Sequence, residues 1–201
     1  VIVGAGPAGL SAAINFKKLC KSKGKSFSVC VVEKGSEVGA HILSGAILQP
    51  TALDELIEDW RSDNNCPVKT SVKSEELKFL SESKSYNLPK FFIPKVMHND
   101  NNFIISLGSL CKWLATKAET MGIEIYPGFA ASDIILSEGK LAGIVTSDLG
   151  IDKSGVPGSN FQPGIEIYSK YTLFAEGCRG HLDKKLINQF NLGENSQHQT
   201  Y

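Results

Sequence analysis

The stretch VIVGAGPAG, residues 1–9, decides the fold of this chain. Three apolar residues lead directly into Gly4, Gly6 and Gly9, which have the G-x-G-x-x-G spacing of dinucleotide-binding turns. The first glycine permits a sharp turn, the second leaves the backbone bare where a pyrophosphate approaches, and the third lets a helix pack closely against a strand. We therefore expect a strand, a tight turn and a helix whose first N–H groups face phosphate oxygens. Because glycine-rich turns are common, the pattern needs support from its context.

The residues that follow the glycines supply this context. Leu10, Ala13 and Ile14 recur at helical spacing. The next apolar run, residues 27–32, is rich in β-branched side chains and ends at Glu33, so we predict a second strand there. An acid at this place accepts hydrogen bonds from a ribose 2′-hydroxyl and repels a 2′-phosphate. Glu33 is therefore predicted to bind an adenosine ribose and to disfavour NADP; the alternative is an ordinary surface glutamate.

The composition excludes several classes of protein. The 21 Lys and Arg residues balance the 21 Asp and Glu residues, and only Arg61 and Arg179 are arginines, so we expect no nucleic-acid partner. No run of 18 apolar residues occurs, and we expect no membrane-spanning helix. The cysteines form no C-x-x-C pair, which argues against a sequence-local iron–sulfur or zinc site and favours packing thiols. They stand at positions 20, 30, 66, 111 and 178.

The rest of the chain predicts an α/β nucleotide-binding fold with an inserted β-meander. Residues 34–50 contain three glycines and read as a loop, which we expect to approach a ligand. Two later helices are predicted, one with the core stripe Leu53, Leu56, Ile57 and Trp60, the other capped by Ser109. Strands are predicted at 103–107, 123–126, 133–137, 141–147 and 166–175, with a hairpin turn at Glu138-Gly139.

Residues 71–102 have an unusual composition. Pro89 and Pro94 interrupt regular structure, and apolar side chains crowd around them while Lys84, Lys90 and Lys95 interleave. A soluble protein seldom exposes such a cluster. Two interpretations stand side by side: a loop that dips into a membrane interface, with lysines near the headgroups, or a proline-rich loop folded over the core.

Several longer motifs carry a resemblance to a known family. In chain order they are VIVGAGPAGLSAAI, VVEKGSEVGAHILSGAIL, YNLPKFFIP, IEIYPGFAASDII, TSDLGIDKSG and LFAEGCRGHL. Together they resemble the N-terminal part of the electron transfer flavoprotein–ubiquinone oxidoreductase family; GAHILSGA and AEGCRGHL are the most specific. The resemblance implies a glutathione-reductase-type FAD-binding Rossmann fold with an inserted β-meander and an interwoven quinone- and membrane-facing segment. It divides the chain into 1–70 (FAD-binding), 71–108 (quinone- and membrane-facing) and 109–201 (return to the FAD-binding domain), and suggests truncation at both ends.

The same resemblance implies a function. Members pass electrons from reduced electron transfer flavoprotein to ubiquinone at a membrane surface, and so link fatty-acid and amino-acid oxidation to the respiratory chain. FAD and a [4Fe–4S] cluster are the implied cofactors, with the cluster cysteines downstream of this chain. The implied location is the matrix face of the mitochondrial inner membrane, or the cytoplasmic membrane of a bacterium. The fragment alone is expected to be inactive.

The resemblance also assigns site residues, none of them an acid–base catalyst or a metal ligand. His41 is expected to border the flavin without a covalent bond; the alternative is a loop histidine bonded to the backbone. The pyrophosphate turn is Gly4, Gly6, Pro7, Ala8 and Gly9; the ribose contacts are Glu33 and Lys34; the flavin-bordering loop contributes Gly39, Ala40, His41, Ser44 and Gly45; the adenine side has Ala130 and Ala131; the second return to FAD has Glu176 and Gly177; and the quinone- and membrane-facing residues are Tyr86, Leu88, Phe91, Phe92, Ile93, Val96 and Met97.

Two other functions remain open from the sequence. One is a related FAD-dependent enzyme, resembling a geranylgeranyl reductase or a hydroxylase, that acts on a different apolar substrate. A downstream C-x-x-C with further cysteines would favour the quinone reductase over this related FAD-dependent enzyme. The other is a truncated, non-catalytic flavoprotein-like subunit of a membrane assembly, which would lack flavin absorption bands.

Overall fold

A computed structural model describes residues 1–43, 45–152 and 154–194. The chain forms two compact units: Val1–Ile42 together with Cys111–Tyr201 make the first, and Leu43–Leu110 make the second. In chain order the elements are β1 (Ile2–Val3), α1 (Pro7–Ser22), β2 (Cys30–Glu33), β3 (Ala46–Leu48), α2 (Thr51–Leu56), β4 (Thr70–Ser71), β5 (Leu77–Leu80), β6 (Ser85–Leu88), β7 (Phe103–Ile105), α3 (Leu107–Thr120), β8 (Glu124–Pro127), β9 (Ala131–Ser137), β10 (Lys140–Thr146), β11 (Leu149–Ile151), β12 (Pro157–Gln162), β13 (Glu166–Tyr168), β14 (Leu173–Phe174) and α4 (Leu182–Phe190). Short 3-10 helices lie at Trp60–Ser62, Lys90–Phe92 and Lys95–Met97.

A parallel sheet of order β14-β1-β2-β8 is the centre of the first unit. Ile2 pairs with Val31 on one side and with Leu173 on the other, all in parallel register. Helix α1 buries the predicted face, which includes Leu10 and Ile14. The prediction of a strand, a tight turn, a helix and a second strand is therefore confirmed, and the fold is of the Rossmann type.

The second strand is shorter than its apolar run. It begins at Cys30, not at Phe27, whose side chain is exposed. The carbonyl of Phe27 accepts a hydrogen bond from the Lys17 ammonium group at 3.2 Å, and the ring lies 5.9 Å from that of Phe16. Phe27 thus contacts α1 instead of pairing in the sheet, whereas the Val29 carbonyl already accepts the N–H of Glu124 in β8 at 3.0 Å.

The inserted β-meander is an antiparallel sheet of order β13-β10-β9. Strands β9 and β10 form the predicted hairpin, and Glu138 and Gly139 both have positive φ, 50° and 74°. This pair of left-handed residues matches the twist of the flanking strands, which explains why a glycine occupies the second position. The polar stretch that follows forms a separate two-stranded ribbon, β11-β12.

The single strand predicted over 166–175 is wrong. The structure divides it into β13, which pairs antiparallel with β10, and β14, which pairs parallel with β1. Between them the Ser169 and Thr172 hydroxyls lie 2.8 Å apart and stabilise the bend. The sequence pattern of an extended segment does not show which sheet the segment joins.

One core connects the parallel sheet with the meander and with α4, a helix that the sequence analysis did not predict. The buried residues of this core are Val3, Val32, Ala131, Ile144 and Leu182. Two of them come from the parallel sheet, two from the meander and one from the helix, so α4 belongs to the framework that supports the carboxyl ends of the strands.

The second unit has a three-stranded sheet of order β3-β7-β4 and a hairpin formed by β5 and β6. Leu53, Ile57 and Trp60 of the predicted stripe are buried, and Leu56 is half-buried. The single helix predicted to carry this stripe is wrong, because α2 ends at Leu56 and Trp60 begins a separate 3-10 helix. The indole of Trp60 packs edge-on against Phe103, with ring centroids 5.5 Å apart.

Helix α3 begins earlier than predicted. Its cap is Ser106, because the Ser106 carbonyl accepts the N–H of Leu110 and the Ser106 hydroxyl accepts the N–H of Ser109 at 3.3 Å. Ser109, the predicted cap, lies in the first turn of the helix instead. Both serines precede an apolar periodic stretch, so the sequence pattern alone does not separate them.

Candidate functional site

The glycine turn requires two of its glycines for close backbone contacts. Gly4 has φ +103°, its N–H donates to the Val32 carbonyl at 2.8 Å, and a Cβ there would lie 2.5 Å from the Ala175 carbonyl oxygen. A Cβ at Gly9 would lie 2.0 Å from the carbonyl oxygen of Gly4. Because Gly4 and Gly9 have no side chain, α1 can pack closely against β1, and the turn can pack closely against the end of the neighbouring strand β14. These are the roles predicted for the first and third glycines.

Gly6 has a different environment. Apart from Gly6 itself and its two chain neighbours, no heavy atom of the described residues lies within 4 Å of the position that its Cβ would occupy. Gly6 is the N-cap of α1, no side chain caps this end of the helix, and Pro7 occupies the first turn. The start of α1 therefore has free space beside backbone N–H groups and the positive end of the helix dipole, and this fits the approach of a pyrophosphate.

Glu33 lies next to this turn and is half-buried. One carboxylate oxygen, Oε2, accepts the N–H of Ala5 at 2.8 Å, and the other, Oε1, accepts the N–H of Gly35 at 2.7 Å. Each oxygen of an ionised carboxylate can accept a further hydrogen bond, so a ribose hydroxyl can still bind. The sequence analysis did not predict the two backbone bonds. Lys34, beside it, is exposed.

The charge of Glu33 acts on a buried thiol. Burial, assisted by the negative charge of Glu33, raises the pKa of Cys111 to about 11. Burial also raises the pKa of Cys30. Both cysteines are therefore protonated at neutral pH, as packing thiols are. In the part of the chain that the structure describes, no three His, Cys, Asp or Glu side chains come together as a metal site.

The carboxyl ends of the parallel strands converge on the glycine turn. The N–H of Gly128, just after β8, donates to the carbonyl of Gly35 at 2.7 Å. This bond places the loop after β8 beside the loop that carries Glu33. Two residues later, the Ala130 carbonyl accepts the N–H of Ser147, and Ala131 is buried at the start of β9. Ligands of open α/β sheets bind at this edge of the strands.

The glycine-rich loop after β2 contributes to both units. Gly39 has φ +87°, and its carbonyl accepts the N–H of Ile42. Ala40 and His41 are exposed. Gly45, which has φ +89° and open space at its Cβ position, belongs to the second unit. Ser44 lies outside the described residues, and the flavin-bordering role of this loop stays a prediction.

Glu176 has a structural partner that the sequence analysis missed. Its Oε2 accepts the N–H groups of Leu182 and Asp183, both at 3.0 Å, and so caps the start of α4. Its Oε1 lies 3.4 Å from Nδ1 of His181. Gly177 has φ +79° and open space at its Cβ position. The carboxylate is thus already bonded to this chain, and a contact with a cofactor stays a prediction.

The predicted membrane-facing residues are exposed with one exception. Phe91 is 80% exposed and Phe92 68%, whereas Ile93 is only 9% exposed. Ile93 lies between two 3-10 helices that begin after Pro89 and Pro94, and these turns direct it inward. The exposed members are Tyr86, Leu88, Phe91, Phe92, Val96 and Met97. Within the described residues, no helix is long and apolar enough to cross a bilayer.

Comparisons with known sequences identify the relatives of this chain. Residues 2–63 match the NAD(P)-binding Rossmann-like domain family. The electron transfer flavoprotein-ubiquinone oxidoreductase of Pseudomonas aeruginosa is 54% identical, with 100% of this chain and 37% of that protein aligned. The mitochondrial protein of that name from Dictyostelium discoideum is 52% identical, again over 100% of this chain and 33% of its own length. The chain therefore matches the N-terminal part of these relatives and spans about a third of their length.

A solved structure shares the fold. The chain is similar to a geranylgeranyl bacteriochlorophyll reductase-like protein from Thermoplasma acidophilum, with a TM-score of 0.59, 18% identity, and 88% of this chain and 38% of that one aligned. At this identity the likeness concerns the fold alone. It agrees with the mixed α/β architecture described above.

Proposed function

We propose that this chain is the N-terminal part of an electron transfer flavoprotein-ubiquinone oxidoreductase and that it holds the ADP half of FAD. The observation that carries the proposal is the match of 54% identity along the whole chain to a protein of this name. The open space at Gly6 beside the carboxylate of Glu33 supports it, because a pyrophosphate and a ribose need these two features next to each other.

The residues of this chain would bind and orient the cofactor. The first N–H groups of α1 would donate to the pyrophosphate oxygens, and Glu33 would accept hydrogen bonds from the adenosine ribose. The ADP half is common to NAD and FAD, so a match to an NAD(P)-binding family is compatible with FAD. The flavin supplies the electron-transfer chemistry when it is bound. Gly39, Ala40 and His41 would border it, with no covalent bond to the histidine.

The remaining parts of the reaction are assigned to the rest of the protein. We place the ligands of the [4Fe–4S] cluster and most of the quinone pocket outside this chain, which spans about a third of its relatives. Electron transfer flavoprotein and ubiquinone, which the relatives' names contain, are the proposed partners. The 201-residue chain alone is expected to transfer no electrons to ubiquinone.

The exposed aromatic loop is the proposed membrane contact. Phe91, Phe92 and Val96 project from the second unit and would enter the interface, with Lys84 and Lys95 near the headgroups. The proposed location is the matrix face of the mitochondrial inner membrane, or the cytoplasmic membrane if the source is a bacterium. Residues 71–108 would then be the quinone- and membrane-facing segment between two parts of the FAD-binding domain.

The test of the proposed function is electron transfer by the full-length protein. The complete protein should purify with FAD and should reduce a ubiquinone analogue when reduced electron transfer flavoprotein is the donor. A protein that carries FAD but does not oxidise this donor would instead support an enzyme that acts on another apolar substrate. A protein without flavin absorption would support the non-catalytic subunit.

A further inference from the structure

We propose that a polar cluster in the second unit fixes the orientation of the aromatic loop, and that Glu75 is a positioning residue for membrane binding. The polar cluster consists of Glu75, Lys90, Asn99 and Asp100. The aromatic tip is Phe91 with Phe92. This inference rests on the proposed membrane contact and adds the residues that position it.

Glu75 joins the two ends of the loop. Its Oε2 accepts both the backbone N–H and the side-chain Nδ2–H of Asn99, each at 2.9 Å. These residues are 24 positions apart, with the β5-β6 hairpin and both 3-10 helices between them. The Glu75 side chain is only 17% exposed. A half-buried carboxylate with two hydrogen bonds to one residue is a well-defined anchor.

Lys90 connects this anchor to the aromatic tip. Its ammonium nitrogen lies 3.5 Å from Glu75 Oε1 and 3.0 Å and 3.3 Å from the two oxygens of Asp100. Lys90 is also the first residue of the 3-10 helix that carries Phe91 and Phe92. A second bond lies beyond the tip, where Nε2 of His98 is 3.0 Å from the Ile93 carbonyl oxygen.

The tip itself has little packing that would hold it. Both phenylalanines are more than two-thirds exposed, and their ring centroids are 4.1 Å apart, so they contact each other. Because exposed rings gain little from burial against the protein, the polar contacts at the base of the loop determine where the rings point.

The charges in the cluster depend on one another. Glu75 Oε1 is buried and has no hydrogen-bond partner among the described residues, so the ammonium of Lys90 is the group that compensates it. Hydrogen bonds from Asn99 hold the pKa of Glu75 below its usual range, although burial opposes them. A hydrogen bond with Asp100 raises the pKa of Lys90. Both groups are therefore ionised at neutral pH, and loss of either disturbs the base of the loop.

The test uses the full-length, FAD-bound protein and phosphatidylcholine vesicles. Glu75→Gln and Lys90→Gln change the net charge in opposite directions but disturb the same cluster. We expect each to weaken vesicle binding about fivefold or more, which corresponds to about 1 kcal/mol. Glu76→Gln is the matched control, because Glu76 is 60% exposed and pairs with Lys78 at 2.8 Å outside the cluster. It should bind vesicles as the unaltered protein does.

A second measurement separates positioning from folding. With Trp placed at position 91, vesicle addition should shift the emission of Phe91→Trp to shorter wavelength. Adding Glu75→Gln should reduce this shift while the melting temperature stays within a few degrees. If Glu75→Gln lowers the melting temperature sharply, the same emission shift is measured in Phe91→Trp with Lys90→Gln instead. An emission shift that Lys90→Gln leaves undiminished would overturn the proposal.

The outcomes distinguish this inference from the proposed membrane contact. If Phe91→Ser with Phe92→Ser abolishes vesicle binding but Glu75→Gln and Lys90→Gln do not weaken it, the inference is wrong and the membrane contact stands. If the double phenylalanine variant binds vesicles normally, the membrane contact itself is wrong. If Glu75→Gln and Glu76→Gln weaken binding equally, net charge explains the effect and the positioning role is overturned.

Discussion

At the scale of single residues, Glu33 connects the fold to the proposed site. Its two carboxylate oxygens bond the N–H of Ala5, inside the glycine turn, and the N–H of Gly35, after β2. The residue that would bind the ribose thus also holds the turn that would bind the pyrophosphate. Charge-assisted hydrogen bonds of this kind are shorter and stronger than neutral ones.

Replacing Glu33 tests this double role. In the full-length protein, Glu33→Ala should weaken FAD binding about 10- to 100-fold, which corresponds to the 1.5–3 kcal/mol typical of hydrogen bonds to charged groups. It should also lower the melting temperature of the FAD-free protein, because two backbone donors lose their acceptor. Glu37→Ala is the control, since the Glu37 side chain is exposed and its carboxylate pairs with Lys112 at 2.9 Å, away from the glycine turn. Full FAD retention by purified Glu33→Ala protein would contradict the assignment.

The sequence predicted which residues occupy the turn, but not all of their bonds. The spacing of Gly4, Gly6 and Gly9 and the acid at the end of the second strand are local patterns, and a dinucleotide turn requires them. The bond from Glu33 to Ala5 spans 28 positions and depends on how two strands pair, which local spacing does not contain. The burial of Ile93, which the resemblance places among the membrane-facing residues, likewise depends on how the loop folds back and not on local spacing.

At the scale of secondary-structure elements, helix ends are determined by side-chain bonds that sequence patterns leave ambiguous. Two serines precede the apolar face of α3, and the structure selects Ser106 because its hydroxyl accepts an N–H of the first turn. At α4 the cap is Glu176, six residues before the helix begins. The sequence analysis missed this helix, although Leu182, Leu186 and Phe190 recur at helical spacing.

Removing the cap of α3 should have a measurable effect on stability. Ser106→Ala should lower the free energy of unfolding by about 1 kcal/mol, which is typical of a lost N-cap. Chemical denaturation of the full-length protein measures this difference. Ser109→Ala removes the hydroxyl that the sequence pattern predicted as the helix cap, and it should lower the free energy of unfolding clearly less. Equal losses for the two variants would contradict the assignment of Ser106 as the cap.

Periodic patterns predicted the long elements better than the short ones. Helix α1 and the β9-β10 hairpin follow from helical spacing and from a Glu-Gly turn, and the structure confirms both. The sequence analysis predicts one strand over 166–175, although Ser169, Lys170 and Thr172 interrupt its apolar residues. The polar residues mark the bend between β13 and β14, but the two different sheets that these strands join cannot be recognised from the segment itself.

At the scale of the whole molecule, the two units carry different proposed tasks. The first has the parallel sheet and the glycine turn, and the second carries the aromatic loop. A Phe or Ile side chain contributes roughly 1.5–3 kcal/mol when it leaves water completely. Partial insertion of Phe91 and Phe92 would therefore add a favourable term to the proposed membrane contact, without Ile93.

The aromatic loop gives a prediction at this scale. Phe91→Ser with Phe92→Ser should leave the full-length protein folded and FAD-bound, because both rings are already exposed. Binding to liposomes should be lost, and the rate with long-tailed quinones should fall relative to the rate with short-tailed ones. Liposome co-sedimentation and thermal melting measure these effects. A large fall in melting temperature, with liposome affinity unchanged in the folded fraction, would mean that the loop is part of the core.

The central claim is that the turn at Gly6 holds the pyrophosphate of FAD, and flavin absorbance per mole of full-length protein tests it most directly. Gly6 has extended backbone angles and open space at its Cβ position, so Gly6→Val should be accepted by the apoprotein. Its branched side chain would occupy the space for the phosphates. The account predicts FAD in the unaltered protein and apoprotein, less stable for lack of its ligand, for Gly6→Val. A Gly6→Val protein that purifies yellow, stable and with a full complement of FAD would contradict it.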